Sequence, residues 1–276
     1  MTNLARRVLV GANHLTLWII CLLSVYPFVF LFVSSYKSDV QIFSSWWSVF
    51  PGEYYWSNYS HAWNVIDKYM VNSVLITLLS VVGVVVLSTL TGYAFAKMYF
   101  WGKEVLFVLL FLLMLIPDIL TLAPSFVLYK SLGLLNNWLV LLIPYVTGGQ
   151  IIGIFIMRNY IEGMPREIFE SARIDGASEL QVFWSIILPL TRSMAVTVAI
   201  LTAVGVWNDY VWPLITISED GLRTVAIGLQ YFTTQYQTKV GYLMAGNVIS
   251  AIPILLLFVF GTKYFVQGVM SGSVKG

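Results

Sequence analysis

The chain has 276 residues, of which 59% are hydrophobic and only 10% charged, where soluble domains carry roughly a quarter charged residues. With a mean hydropathy of +0.83, this is the composition of an integral membrane protein. A net charge of +2 is too small to imply nucleic acid.

Arg6 and Arg7 precede an apolar run from Leu15 to about Ser35. It has close to the 20 or so residues a helix needs to cross a bilayer. It is longer than the core of a signal peptide and no small-residue cleavage site follows, so it reads as a retained first span. Residues 37–71 are polar and aromatic, with Trp46, Trp47, Tyr54, Tyr55, Trp56, Tyr59 and Trp63. Such residues favour the membrane interface, and an outer surface segment with short helices is expected here.

Five further runs follow: Ser73–Ala96, Val105–Leu128, Trp138–Met157, Met194–Ile217 and Val248–Val266. They are apolar throughout, whereas barrel strands alternate every second residue. The expected fold is therefore all-α and polytopic, with six transmembrane helices. Pro27, Pro117, Pro124, Pro144, Pro213 and Pro253 fall in or near the runs. Such prolines are tolerated where neighbours re-satisfy the backbone, and they suggest kinks, either around a cavity or for packing. Gly149 and Gly153, and the ridge Ala195, Ala199 and Ala203, allow close helix approach, within the chain or against a partner. The single cysteine, Cys21, lies inside an apolar run, and one cysteine allows no intrachain disulfide. His14 and His61 have no ligand cluster around them, so no metal is expected. A G-x-x-x-x-G-K-[ST] phosphate loop does not occur, and no cofactor is assigned to the chain.

Between the fourth and fifth runs lies a polar insert, residues 158–192. From Glu162 to Gln181 it holds Glu162, Glu167, Glu170, Asp175 and Glu179 against Arg166 and Arg173, five acids to two bases. Counting Lys and Arg places ten on the face that bears the insert and both termini and five on the other. The bias puts both termini and the insert in the cytoplasm. Pro165 suits a first helical turn, Ile168, Phe169 and Ala172 share a face, and Gly176 is a natural C-terminal stop. Ser178 with Gln181 has capping-box spacing, so a second helix starts there. Two short helices joined by a tight turn are expected, too acidic for DNA; a structural element lying on the lipid surface is the alternative, a role that a basic face would suit better.

Glu170-Ser171-Ala172, three residues, Gly176, nine residues and then Ile186-Ile187-Leu188-Pro189 resembles the E-A-A-x3-G-x9-I-x-L-P motif of ABC importer permeases, with Ser171 in place of one alanine. The resemblance implies the type I ABC importer permease fold. It implies that the insert docks in a cleft on a cytoplasmic ATPase through Glu167, Ile168, Phe169, Glu170, Ser171, Ala172, Asp175, Gly176 and Ala177. The apolar Ile168, Phe169 and Ala172 would bury in that cleft, and Glu170 would pair with a base.

The fifth run ends in Trp207-Asn208-Asp209-Tyr210-Val211-Trp212-Pro213-Leu214. Asp209 falls about 25 Å along a continuous helix from Arg192, toward the outer face. An acid there is a functional candidate by default, and a helix-capping acid in an aromatic belt is the alternative. Asp118, about 21 Å past Glu104 by the same rise, is either pore-facing or loop-capping. Asp118, Trp207, Asn208, Asp209 and Tyr210 are the candidate substrate pathway.

The W-N-D-Y-x-W-P-L stretch and the C-terminal sequence from Tyr264 to Gly276 are similar to the carbohydrate-uptake class of these permeases, most like the six-span partner of a maltose-type heterodimer. That implies an ATP-driven, binding-protein-dependent carbohydrate importer of a bacterial or archaeal inner membrane. Its partners would be a second permease, two ATPase subunits that bind ATP and Mg, and an extracytoplasmic sugar-binding protein. The chain itself would not be an enzyme. Another small solute, such as a glycerol phosphate ester, is the alternative cargo, and an ion-coupled secondary carrier the more distant reading. The expected division is 1–68 for the first span and outer loop, 69–264 for the permease domain, and 265–276 for a cytoplasmic tail that can reach the ATPases.

Overall fold

The computed structural model describes residues 3–50, 52–233 and 239–273. Among them the regular structure is helical throughout. Helices α1 (Asn3–Ser34), α3 (Ser57–Lys97), α6 (Leu139–Glu162) and α13 (Val240–Ser273) contain four stretches long and apolar enough to cross a membrane. Two bent pairs raise the number to six: α4 (Lys103–Leu113) with α5 (Asp118–Ser131), and Glu179–Leu190 with α10 (Arg192–Asn208). The segments group into two compact units, residues 1–67 with 229–251, and 68–228 with 252–276. The tail expected at 265–276 continues the α13 helix to Ser273, and residues 274–276 lie outside the described residues.

Three expectations change. The third run is broken: α4 stops at Leu113, Pro117 caps α5 in extended conformation, and the two helices bend by 96°. The residue before a proline is pushed out of the α region, and Pro117 cannot donate into the preceding turn. Asp118 is therefore the first residue of a new helix, and the 21 Å rise from Glu104 does not hold. The fifth run also divides, α10 ending at Asn208 and α11 (Val211–Thr216) following the break at Asp209 and Tyr210. Finally, residues 57–71, expected in an outer segment with short helices, are the first turns of the long helix α3; a helix satisfies its own backbone whatever its side chains prefer.

In the first unit, α2 (Asp39–Ser44) is the short helix expected in the aromatic segment, with a complete Ser38/Gln41 capping box. Buried Lys37 donates from Nζ to the carbonyls of Ser45 and Ser48 at 3.0 and 2.6 Å, which closes the loop after α2. Tyr36 packs edge-on to Trp56 and lies against Tyr59.

In the second unit, small residues bring α3 and α6 together. A Cβ placed on Gly149 would lie 2.8 Å from the Val84 side chain, and one on Gly153 would lie 2.7 Å from Ser88 Cβ. Packing within the chain is thus what the G-x-x-x-G pair does. At Gly92 a Cβ would meet Met157 Cβ at 2.6 Å and the Arg158 backbone nitrogen at 3.0 Å. Because a backbone atom cannot rotate away, Gly92→Leu is expected to cost about 1–3 kcal/mol or more. It should lower the thermal unfolding midpoint of the detergent-solubilised chain by several degrees.

Candidate functional site

The insert is built from local signals. Helix α7 (Glu167–Ile174) is capped by Arg166 and Asp175, so Pro165 lies just before the helix and not in its first turn as expected. Gly176 then adopts φ +81°, the left-handed conformation that glycine takes without a Cβ penalty. Its N–H donates to the Arg173 carbonyl at 3.1 Å and that of Ala177 to the Ala172 carbonyl at 3.0 Å. Those two bonds make a complete Schellman stop. Helix α8 (Glu179–Val182) begins at the Ser178/Gln181 capping box. A π-helical turn, Phe183–Ile187, then passes into α9 (Leu188–Leu190) and the 77° bend before α10.

What seats this hairpin is the end of α3. Lys97 donates from Nζ to the Met164 carbonyl at 2.8 Å, capping the exit of α6, and stands over the Phe169 ring. The buried Tyr93 hydroxyl donates to Glu179 Oε2 at 2.5 Å, and Arg173 Nε donates to Glu179 Oε1 at 2.9 Å. The hydrogen bond to Glu179 also raises the pKa of Arg173 above its ordinary value. Arg158 Nη2 donates to both carboxylate oxygens of Glu104, at 3.0 and 2.9 Å, and the guanidinium lies over the Phe107 ring, joining α6 to α4.

The direction of the apolar face differs from the one expected. Phe169 is 2% exposed and Ala172 8%, both in a core with Tyr93, Met157, Ile161, Val182, Phe183 and Ile187. They hold the helix to its own chain and are not available to a partner's cleft. Outward lie Glu167, Ile168, Glu170, Ser171, Asp175 and Gly176, together with Ile174 at 86% exposure. Ala177 is half-buried. Ile174 was not singled out from the sequence, although an isoleucine beside Asp175 and Gly176 on a polar helix was a signal that could have found it. Beside the turn is a depression of about 310 Å³ lined by residues including Asp175, Gly176, Gln181 and Ser185.

A second concavity, of about 800 Å³, lies among α5, α6, α10 and α11. Of the pathway candidates it brings together Asp118, Asn208 and Asp209; Trp207 is buried in packing and neither it nor Tyr210 reaches the lining. Asp209 accepts the Tyr145 hydroxyl on Oδ2 at 2.9 Å and the Trp212 backbone N–H on Oδ1 at 3.3 Å. It therefore caps α11 and also faces the cavity. Tyr145, Ser125, Thr147 and Thr202 line the same space; isolated hydroxyls in apolar runs carried no signal of that. Among the described residues no group of three His, Cys, Asp or Glu is placed to hold a metal ion.

Bent, broken spans around a cavity, with a soluble hairpin between two of them, define a membrane transport component. The model of the family described as "Binding-protein-dependent transport system inner membrane component" matches residues 85–271, and the chain belongs to that family. It is 38% identical over 253 residues to the probable ABC transporter permease protein YurM of Bacillus subtilis, covering 91% of this chain and 84% of that one. To the arabinooligosaccharides transport system permease protein AraQ of Halalkalibacterium halodurans it is 30% identical, covering 93% of each. The fold matches a chain of a bacterial ABC transporter that imports the acidic polysaccharide alginate, with a TM-score of 0.81 over 96% of this chain and 99% of that one, at 23% identity. The fold is that of a type I ABC importer permease.

Proposed function

We propose that the chain is a transmembrane subunit of a carbohydrate importer. It works beside a second, homologous permease, two cytoplasmic ATPase subunits that bind ATP and Mg, and an extracytoplasmic sugar-binding protein. The insert and both termini face the cytoplasm. The observation that carries the coupling role is the hairpin itself. Its inner face is locked to α3 by Tyr93, Lys97 and Phe169, while Ile174, Glu170 and Asp175 stand outside. A helix held so firmly on one side transmits force applied to the other, because a packed core does not deform continuously. Closure of the ATPases on ATP would push the hairpin, and the π turn and the bend before α10 would pass that displacement to the spans lining the cavity. The carbohydrate assignment is supported by the likeness to the arabinooligosaccharide permease and by the hydroxyls of Thr121, Ser125, Tyr145, Thr147 and Thr202 set in a mainly apolar cavity.

Co-purification with its genomic neighbours tests the proposal. The native chain is expected to bring down an ATPase, and deletion of residues 164–181 is expected to abolish both that association and sugar uptake. Uptake unaffected by the deletion would refute it.

A further inference from the structure

The cavity among α5, α6, α10 and α11 carries a charge pattern that narrows the cargo. Its lining contains Asp118 and Asp209, the hydroxyls of Thr121, Ser125, Tyr145, Thr147 and Thr202, the amide of Asn208, and otherwise apolar residues and glycine; no Lys, Arg or His belongs to it. Asp209 is held by neutral donors, the Tyr145 hydroxyl and the Trp212 N–H, so no cation in the lining compensates it. Asp118 sits in the first turn of α5. A helix N-terminus supplies only about half a unit of positive charge, which leaves the site net negative. Charge of one sign along walls of low dielectric focuses the field into the cleft, and rings of acids select against anions in other membrane pathways.

We infer that this cavity admits uncharged, hydroxylated solutes and disfavours anionic ones, acidic sugars and phosphate esters included. The inference rests on the reading of the chain as a carbohydrate importer subunit and sharpens its substrate class. It also separates this chain from its structural likeness, whose cargo is an acidic polysaccharide.

The test uses the assembled transporter in lipid, with Cys21→Ser removing the single cysteine and Ser125→Cys or Thr202→Cys placing one in the cavity. Two methanethiosulfonates of similar size, one with a trimethylammonium group and one with a sulfonate, are compared for labelling rate. The cation-to-anion ratio is expected to exceed that of a small free thiol by about tenfold. Asp118→Asn is expected to lower it, and Asp118→Asn with Asp209→Asn to bring it within about twofold of the free thiol. A ratio equal to that of the free thiol, one that survives loss of both acids, or no labelling at either position would overturn the inference. The carbohydrate reading fails separately: a cognate binding protein that retains no sugar removes it whatever the labelling ratio.

Discussion

Gly176→Val is expected to leave the chain inserted and folded while reducing sugar uptake at least about tenfold. Gly176 has φ +81°, and a Cβ built there meets nothing within 4 Å, so the effect is one of backbone strain and not of collision. A left-handed residue costs roughly 1–2 kcal/mol with an ordinary side chain, and a β-branched one stands at the upper end of the 1–3 kcal/mol seen for strained positions. That strain competes with the two Schellman bonds that set the angle between α7 and α8. The expected order of activity is Gly, Asn, Ala, Val, since asparagine tolerates the left-handed region best after glycine. Reconstituted vesicles would report uptake and ATP hydrolysis together, and the valine variant should hydrolyse ATP without importing. Uptake independent of the residue at 176 would show that the turn angle does not matter to coupling.

Phe169→Ala and Ile174→Asp are expected to fail in opposite ways. Phe169 is buried in the core that fastens α7 to α3, and truncating a buried phenylalanine costs about 3–5 kcal/mol. The insert should come loose, becoming cleavable by protease, and coupling should be lost with it. Ile174 is 86% exposed, so an acid there should change the stability of the chain by no more than about 0.5 kcal/mol. If Ile174 is an anchor in the ATPase cleft, its replacement should weaken association by about 2 kcal/mol or more, as loss of an interface hot spot does. Thermal unfolding of the isolated chain together with pull-down of the ATPase separates the two cases. Intact association in Ile174→Asp would move the docking face elsewhere on the hairpin.

Much of the hairpin was legible because its signals are local. The Ser178/Gln181 box and the glycine stop each act over three to five residues, and all appear where expected. The spans were legible for another reason: lipid accepts no unpaired backbone, so a helix must supply about 20 apolar residues in a row. Hydropathy is blind to direction, however. Val105–Leu128 and Met194–Ile217 read as single runs, yet each contains a break, at Pro117 and at Asp209. Only a few polar residues mark each break within an otherwise apolar run, and the polar groups that satisfy the second break, such as the Tyr145 hydroxyl on Asp209, come from another helix.

What the amino-acid sequence determined by itself is the apolar runs, the turn between α7 and α8, and the family to which the motif points, because each depends on residues close to one another along the chain. Tertiary structure decided which way the amphipathic α7 faces. Ile168, Phe169 and Ala172 form one stripe in the sequence, but Tyr93 and Lys97, more than seventy positions earlier, turn Phe169 and Ala172 inward and leave Ile174 exposed. The apolar face of a helix shows that something must cover it; only the neighbours brought by the fold show whether that cover is the chain itself.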